Sequence, residues 1–118
     1  MTASDVDRDH LTDQLTIPEV AEILGLSPSR VRRLIEDRHL LAVRRDGVLR
    51  IPALFLRDGE PLPELRGTAI VLGDAGYDDE EAVAWLLEPE ASLGTSPIEA
   101  LRSGRKAEVR RVAQALGF

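Results

Sequence analysis

The sequence contains no cysteine, which excludes disulfide scaffolds, zinc fingers and thiol chemistry and is compatible with a reducing compartment. It also lacks any apolar run approaching the roughly 20 residues that a membrane helix needs. Its first 15 residues, MTASDVDRDHLTDQL, are polar and acidic, unlike a signal peptide. These absences predict a soluble protein of the cytoplasm. No Ser/His/Asp arrangement, phosphate-binding glycine loop or CxxC pair is present, so neither an enzyme nor a cofactor is expected. Histidine is scarce: His10 and His39 are the only two. His39, beside an apolar pair, reads as a cation at the end of a helix, where the dipole favours it.

Positive charge is also in short supply. The 118 residues carry 15 lysines and arginines against 21 acids, a formal charge of −6, and a nucleic-acid binder is more often basic. The distribution reverses that inference. Residues 1–26 hold Arg8 against six acids, whereas residues 27–57 hold eight arginines against Glu36, Asp37 and Asp46. Residues 58–101 hold Arg66 against eleven acids, and residues 102–118 hold five bases against Glu108. Screening acts over roughly 8–10 Å, so the sign of a segment matters more than the total.

Residues 1–14 have no periodicity and read as a loose arm. Thr16-Ile17-Pro18-Glu19 then places a hydroxyl cap, a proline at the first helical position and a glutamate three residues after the cap. Ile17, Val20, Ala21 and Leu24 form one apolar stripe, and Gly25 ends the helix. A second helix starts at once, with Ser27 as cap, Pro28 behind it, and Val31, Leu34 and Ile35 as its stripe. Ser29, Arg33 and Glu36 occupy the opposite face, flanked by Arg30 and Arg32. Two short helices joined by Gly25-Leu26-Ser27 form a helix-turn-helix.

In LLAVRRDGVLRIP, Val43 and Val48 flank a turn carrying Asp46-Gly47, a strong hairpin signal. A small basic hairpin after a helix-turn-helix is a wing, with Arg44, Arg45 and Arg50 at or near its tip. Residues 52–56 suggest one helical turn, and RDGEPLPE reads as a linker in which Pro61 and Pro63 block regular structure. Helices are predicted from Leu65, from the Asp78 cap to about Leu87, from Ser96-Pro97 to Gly104, and along Val109, Val112, Ala113 and Leu116. Trp85 is expected in the core. The acids 78–81 fit no calcium loop and read as first-turn dipole matching, so no metal is expected.

The predicted fold is mainly α: an arm (1–14), a winged helix-turn-helix (15–57) and a C-terminal helical bundle (64–118). The expected function is sequence-specific binding of double-stranded DNA by a transcriptional regulator associated with the nucleoid. Guanidinium groups at the N-terminal half of an inserted helix can pair with guanine edges, and a wing can hold the adjacent backbone. The candidate DNA contacts are Ser27, Ser29, Arg30, Arg32, Arg33, Arg44, Arg45 and Arg50. Arg30 and Arg33 would read bases, while Ser29, Arg44, Arg45 and Arg50 would hold phosphates. A competing reading makes the protein an interaction module whose C-terminal helices bind a protein partner. Thr2, Ser4 and Thr12 in the arm would be accessible to a regulatory kinase, whose phosphoryl group would repel DNA.

Residues 15–56 resemble the excisionase/MerR-type winged helix-turn-helix, and the whole chain is similar to a small actinobacterial family of winged-helix DNA-binding proteins. That resemblance implies a DNA surface made of Ser29, Arg30, Arg32 and Arg33 with Arg44, Arg45 and Arg50. The segment around Trp85, Leu86, Leu93, Gly94, Ser96, Pro97, Ile98 and Leu101 is similar to the C-terminal region of Xre/ParS-type antitoxins. This second resemblance implies a toxin-binding and dimerising unit.

Overall fold

The computed structural model describes residues 14–117. The arm's Thr2, Ser4 and Thr12 lie outside the described residues. Strand β1 (Gln14–Thr16) runs directly into helix α1 (Ile17–Leu24). The expected capping box forms: the Glu19 N–H donates to Thr16 Oγ1 (3.3 Å) and the Thr16 N–H to Glu19 Oε1 (2.8 Å). Pro18 is the second helical residue rather than the first, which is equally harmless because N–H groups of the opening turn have no helical acceptor. Gly25 closes α1 in the left-handed conformation (φ 70°), and the Leu26 N–H returns to the Ala21 carbonyl at 3.0 Å.

Helix α2 (Pro28–Glu36) follows, with the Arg30 N–H donating to the Ser27 hydroxyl (3.3 Å). Val31 is fully buried against α1, while Leu34 and Ile35 are half-buried. The same kind of closure ends α2, since His39 N–H reaches the Leu34 carbonyl and Arg38 N–H the Ile35 carbonyl. Here the left-handed residue is Arg38 (φ 68°), where glycine is usual. A residue with a Cβ costs about 1–2 kcal/mol there. The Arg38 side chain is engaged across the fold, its Nη1 donating to Asp79 Oδ1 at 2.8 Å.

Strands β2 (Val43–Arg45) and β3 (Val48–Pro52) form the expected wing, turning through Asp46 (φ 53°) and Gly47 (φ 78°). β1 adds a third antiparallel strand, in the order β1-β3-β2, with Leu15 opposite Ile51. The turn expected at 52–56 is a 3₁₀ turn, Ala53–Phe55.

The linker expected next is structured. β4 (Leu56–Arg57) pairs with β5 (Glu60–Pro61) through Asp58 (φ 53°) and Gly59 (φ 75°), the conformation already seen in the wing. Pro61 does not block the ribbon because it sits at a strand end, where no ladder N–H is required. Leu56 and Leu62 bury themselves, and the Leu62 N–H donates to the Phe55 carbonyl at 2.8 Å.

Four helices complete the chain: α3 (Leu65–Asp74), α4 (Asp79–Leu87), α5 (Pro97–Arg102) and α6 (Lys106–Ala115). α3 packs on α6 and α4 on α5. Trp85 is half-buried against the core rather than within it. One continuous apolar core runs from Leu15 to Ala113, through both the winged half and the bundle. Arg102 Nη1 reinforces the junction by donating to the Leu54 (3.0 Å) and Leu56 (2.7 Å) carbonyls, and Arg57 donates back to the Arg102 carbonyl. The fold is thus mainly helical, with a small antiparallel wing and a C-terminal helical bundle. Among the described residues no helix is long and apolar enough to cross a membrane.

Candidate nucleic-acid interface

Because Val31, Leu34 and Ile35 turn inward, the outer side of α2 is left to polar residues. Ser29, Arg30, Arg32 and Arg33 are all exposed. Among the described residues, no ion pair or side-chain hydrogen bond engages the guanidinium groups of Arg30, Arg32 and Arg33. Ser27 and Ser29 share a hydrogen bond between their hydroxyls (3.2 Å), so Ser27 is occupied as a cap and Ser29 keeps hydrogen-bonding capacity to spare.

The arginines divide between two hollows. Arg30 and Arg33, with Ser29, line one of about 480 Å³ that opens beside the Leu26 turn. Arg32 faces the other way, into a cleft of about 370 Å³ between α2 and the wing, and Arg44 lines the same cleft from the wing side. Of the wing arginines only Arg44 lines it, beside Gly47, Val48 and Leu49. Arg44 lies opposite Leu49, on the face that carries Leu15 and Ile51. Arg45 pairs with Val48 and Arg50 with Val43, so these two arginines lie on the reverse face. Arg50 is half-buried there, whereas Arg44 and Arg45 are exposed.

The reverse face meets the first turn of α4. Arg45 Nη1 donates to both oxygens of Glu80 (3.0 and 3.2 Å), and the Arg44 N–H reaches Glu80 Oε2 at 3.3 Å. The next-door Asp79 takes Arg38. Asp78 and Glu81 form a second capping box, with bonds of 2.8 and 3.0 Å. The acids 78–81 therefore do more than match a helix dipole. Two of them cap α4, and two hold arginines of the winged half. Both members of the Arg45–Glu80 pair are about half exposed (49% and 55%), so the pair contributes no more than about 1 kcal/mol and can be exchanged for another anion. Local sequence patterns carry no sign of these long-range pairings: Asp79 and Glu80 read only as first-turn acids, and Arg38 has no local signature.

Two family models match this chain. The model for the winged helix-turn-helix domain of DNA-binding protein Rv2175c covers residues 3–56, and that for the Rv2175c C-terminal domain of unknown function covers residues 62–117. DNA-binding protein Rv2175c of Mycobacterium tuberculosis is 36% identical, over 86% of this chain and 79% of the relative. The chain belongs to the Rv2175c family. The NMR structure of Rv2175c superposes with a TM-score of 0.82 at 34% identity, covering 91% of this chain and 82% of that one. The actinobacterial winged-helix resemblance is thereby given a name. The segment likened to antitoxin C-terminal regions falls within the family's own C-terminal domain.

Proposed function

We propose that this member of the Rv2175c family binds double-stranded DNA sequence-specifically, as a regulator of transcription, with α2 in the major groove and the wing on the flanking backbone. The observation that carries this reading is the set of three guanidinium groups on the exposed side of α2 that are uncommitted among the described residues. Arg30 and Arg33 read base edges, where a bidentate guanidinium–guanine pair discriminates by about 1–3 kcal/mol. Ser29 and Arg44 hold phosphates, and Arg32 joins Arg44 across the cleft. Arg45 and Arg50 also serve phosphates, Arg45 by exchanging Glu80 for one. A single winged module makes few contacts, so one copy binds weakly, near the non-specific range of about 10⁻⁴–10⁻⁶ M, and tight binding uses two copies on paired half-sites.

Salt titration tests the reading. Log K is expected to fall linearly with log salt, by about 0.9 for each phosphate neutralised. A flat response would exclude a phosphate interface. The exchange at Arg45 has its own signature. Glu80→Gln is expected to tighten binding several-fold at low salt, and to do so only while Arg45 is present. If Glu80→Gln strengthens binding equally in an Arg45→Ala background, the pair plays no part in it.

A further inference from the structure

We infer that the DNA-contacting face continues past α2 onto the C-terminal bundle, through Arg66 of α3 and Lys106 and Arg110 of α6, which hold phosphates beyond those reached by α2 and the wing. This rests on the DNA reading above. The row starts on α2, where Arg33 and Asp37 are one helical turn apart. From α3, Arg66 reaches the end of that turn and donates its Nε–H to the Asp37 carbonyl at 2.9 Å, its two terminal nitrogens engaging no partner among the described residues. Beside Arg66 in the chain is Gly67, and the Arg110 guanidinium fills the space that a Cβ at residue 67 would occupy. Lys106 precedes Arg110 by four residues and therefore shares its face of α6.

Arg66, Lys106 and Arg110 are exposed, and among the described residues the side chains of Lys106 and Arg110 have no hydrogen bond or ion pair. Arg105, just before α6, is spent internally. Arg105 donates to Glu108 (2.7 Å) and to the Leu93 carbonyl (3.0 Å), and that hydrogen bond holds the Glu108 carboxyl below its ordinary range. Glu36 and Asp37, the two acids at the end of α2, are outnumbered by the four cations Arg33, Arg66, Lys106 and Arg110. A polyanion following the row matches its sign and its length of several side chains. Continuity with α2 favours DNA over a separate acidic protein.

The test compares full-length variants on a duplex of about 30 base pairs. Lys106→Ala with Arg110→Ala should flatten the log K against log salt slope by about 1.8, at 0.9 per phosphate, and leave the order of preferred sequences unchanged. Arg111→Ala, which removes one charge from the adjacent position of α6, measures the effect of net charge alone and should change the slope less than Arg110→Ala does. Equal effects from Arg110→Ala and Arg111→Ala would overturn the inference. So would an unchanged slope in the double variant while Arg30→Ala with Arg33→Ala still weakens binding, since that outcome retains the α2 interface and removes the bundle from it. If neither double variant changes binding, the DNA reading itself fails.

Discussion

Replacing Arg30 and Arg33 together by alanine is expected to weaken binding to a selected DNA site by roughly 30-fold at the least. Two bidentate base contacts at about 1–3 kcal/mol each set that floor. Affinity for random duplex should fall much less, because the sequence-independent part depends on phosphate contacts elsewhere. The two side chains are exposed and engage no partner among the described residues, so the melting temperature should move by little, and lost binding can be assigned to the interface. Fluorescence anisotropy on selected and random duplexes, beside a circular dichroism melt, makes the comparison. Equal losses on both duplexes would convert these arginines from base readers into phosphate holders.

Phe55→Ala is expected to cost about 3–5 kcal/mol, a large part of the 5–15 kcal/mol that stabilises a typical domain. Phe55 is fully buried in the 3₁₀ turn between the wing and the β4–β5 ribbon, within the core that both halves share. The melting midpoint should drop by roughly 10–20 °C. Because the core is continuous, the winged half and the bundle should unfold together. Trp85, the single tryptophan, lies on α4 and reports on the bundle, while far-UV ellipticity reports on all helices. Coincident transitions from the two probes are the expected result, and two separated midpoints would show that the halves are independent.

Much of this architecture can be read directly from the chain. Thr16 with Glu19, and Ser27 with Pro28, announce their helices because a cap is a local contract between residues three apart. Asp46-Gly47 announces the wing for a similar reason, since few other residues tolerate two successive positive φ values. The same dipeptide at 58–59 carries the same information, but Pro61 and Pro63 beside it signal a linker, and the ribbon forms because Pro61 falls at a strand end. β1 was not foreseen because three residues are too few to show alternation; its place is set by pairing with Ile51, 36 positions away in sequence. The exposed arginines of α2 were legible from helical periodicity alone. The division of the wing arginines between two faces was not, because it depends on strand register and on which surface α4 covers. The C-terminal cations Arg105, Lys106, Arg110 and Arg111 lie off the apolar stripe and could by sequence either contact phosphates or pair with the acidic segment 58–101. Only the hydrogen bond from Arg66 to the end of α2 and the packing of α6 on α3 connect Arg110 to the DNA-facing helix.

One turn of α4 has a further consequence. Asp79 grips the residue just beyond the end of α2, and Glu80, its immediate neighbour, grips the wing. The gap between the two elements is therefore gauged by a helix that belongs to neither, as the jaws of a caliper are set by its frame. A groove that fits the jaws needs no adjustment from the protein. Trading Glu80 for a phosphate would free the wing from that frame, while Asp79 keeps its hold beyond the end of α2.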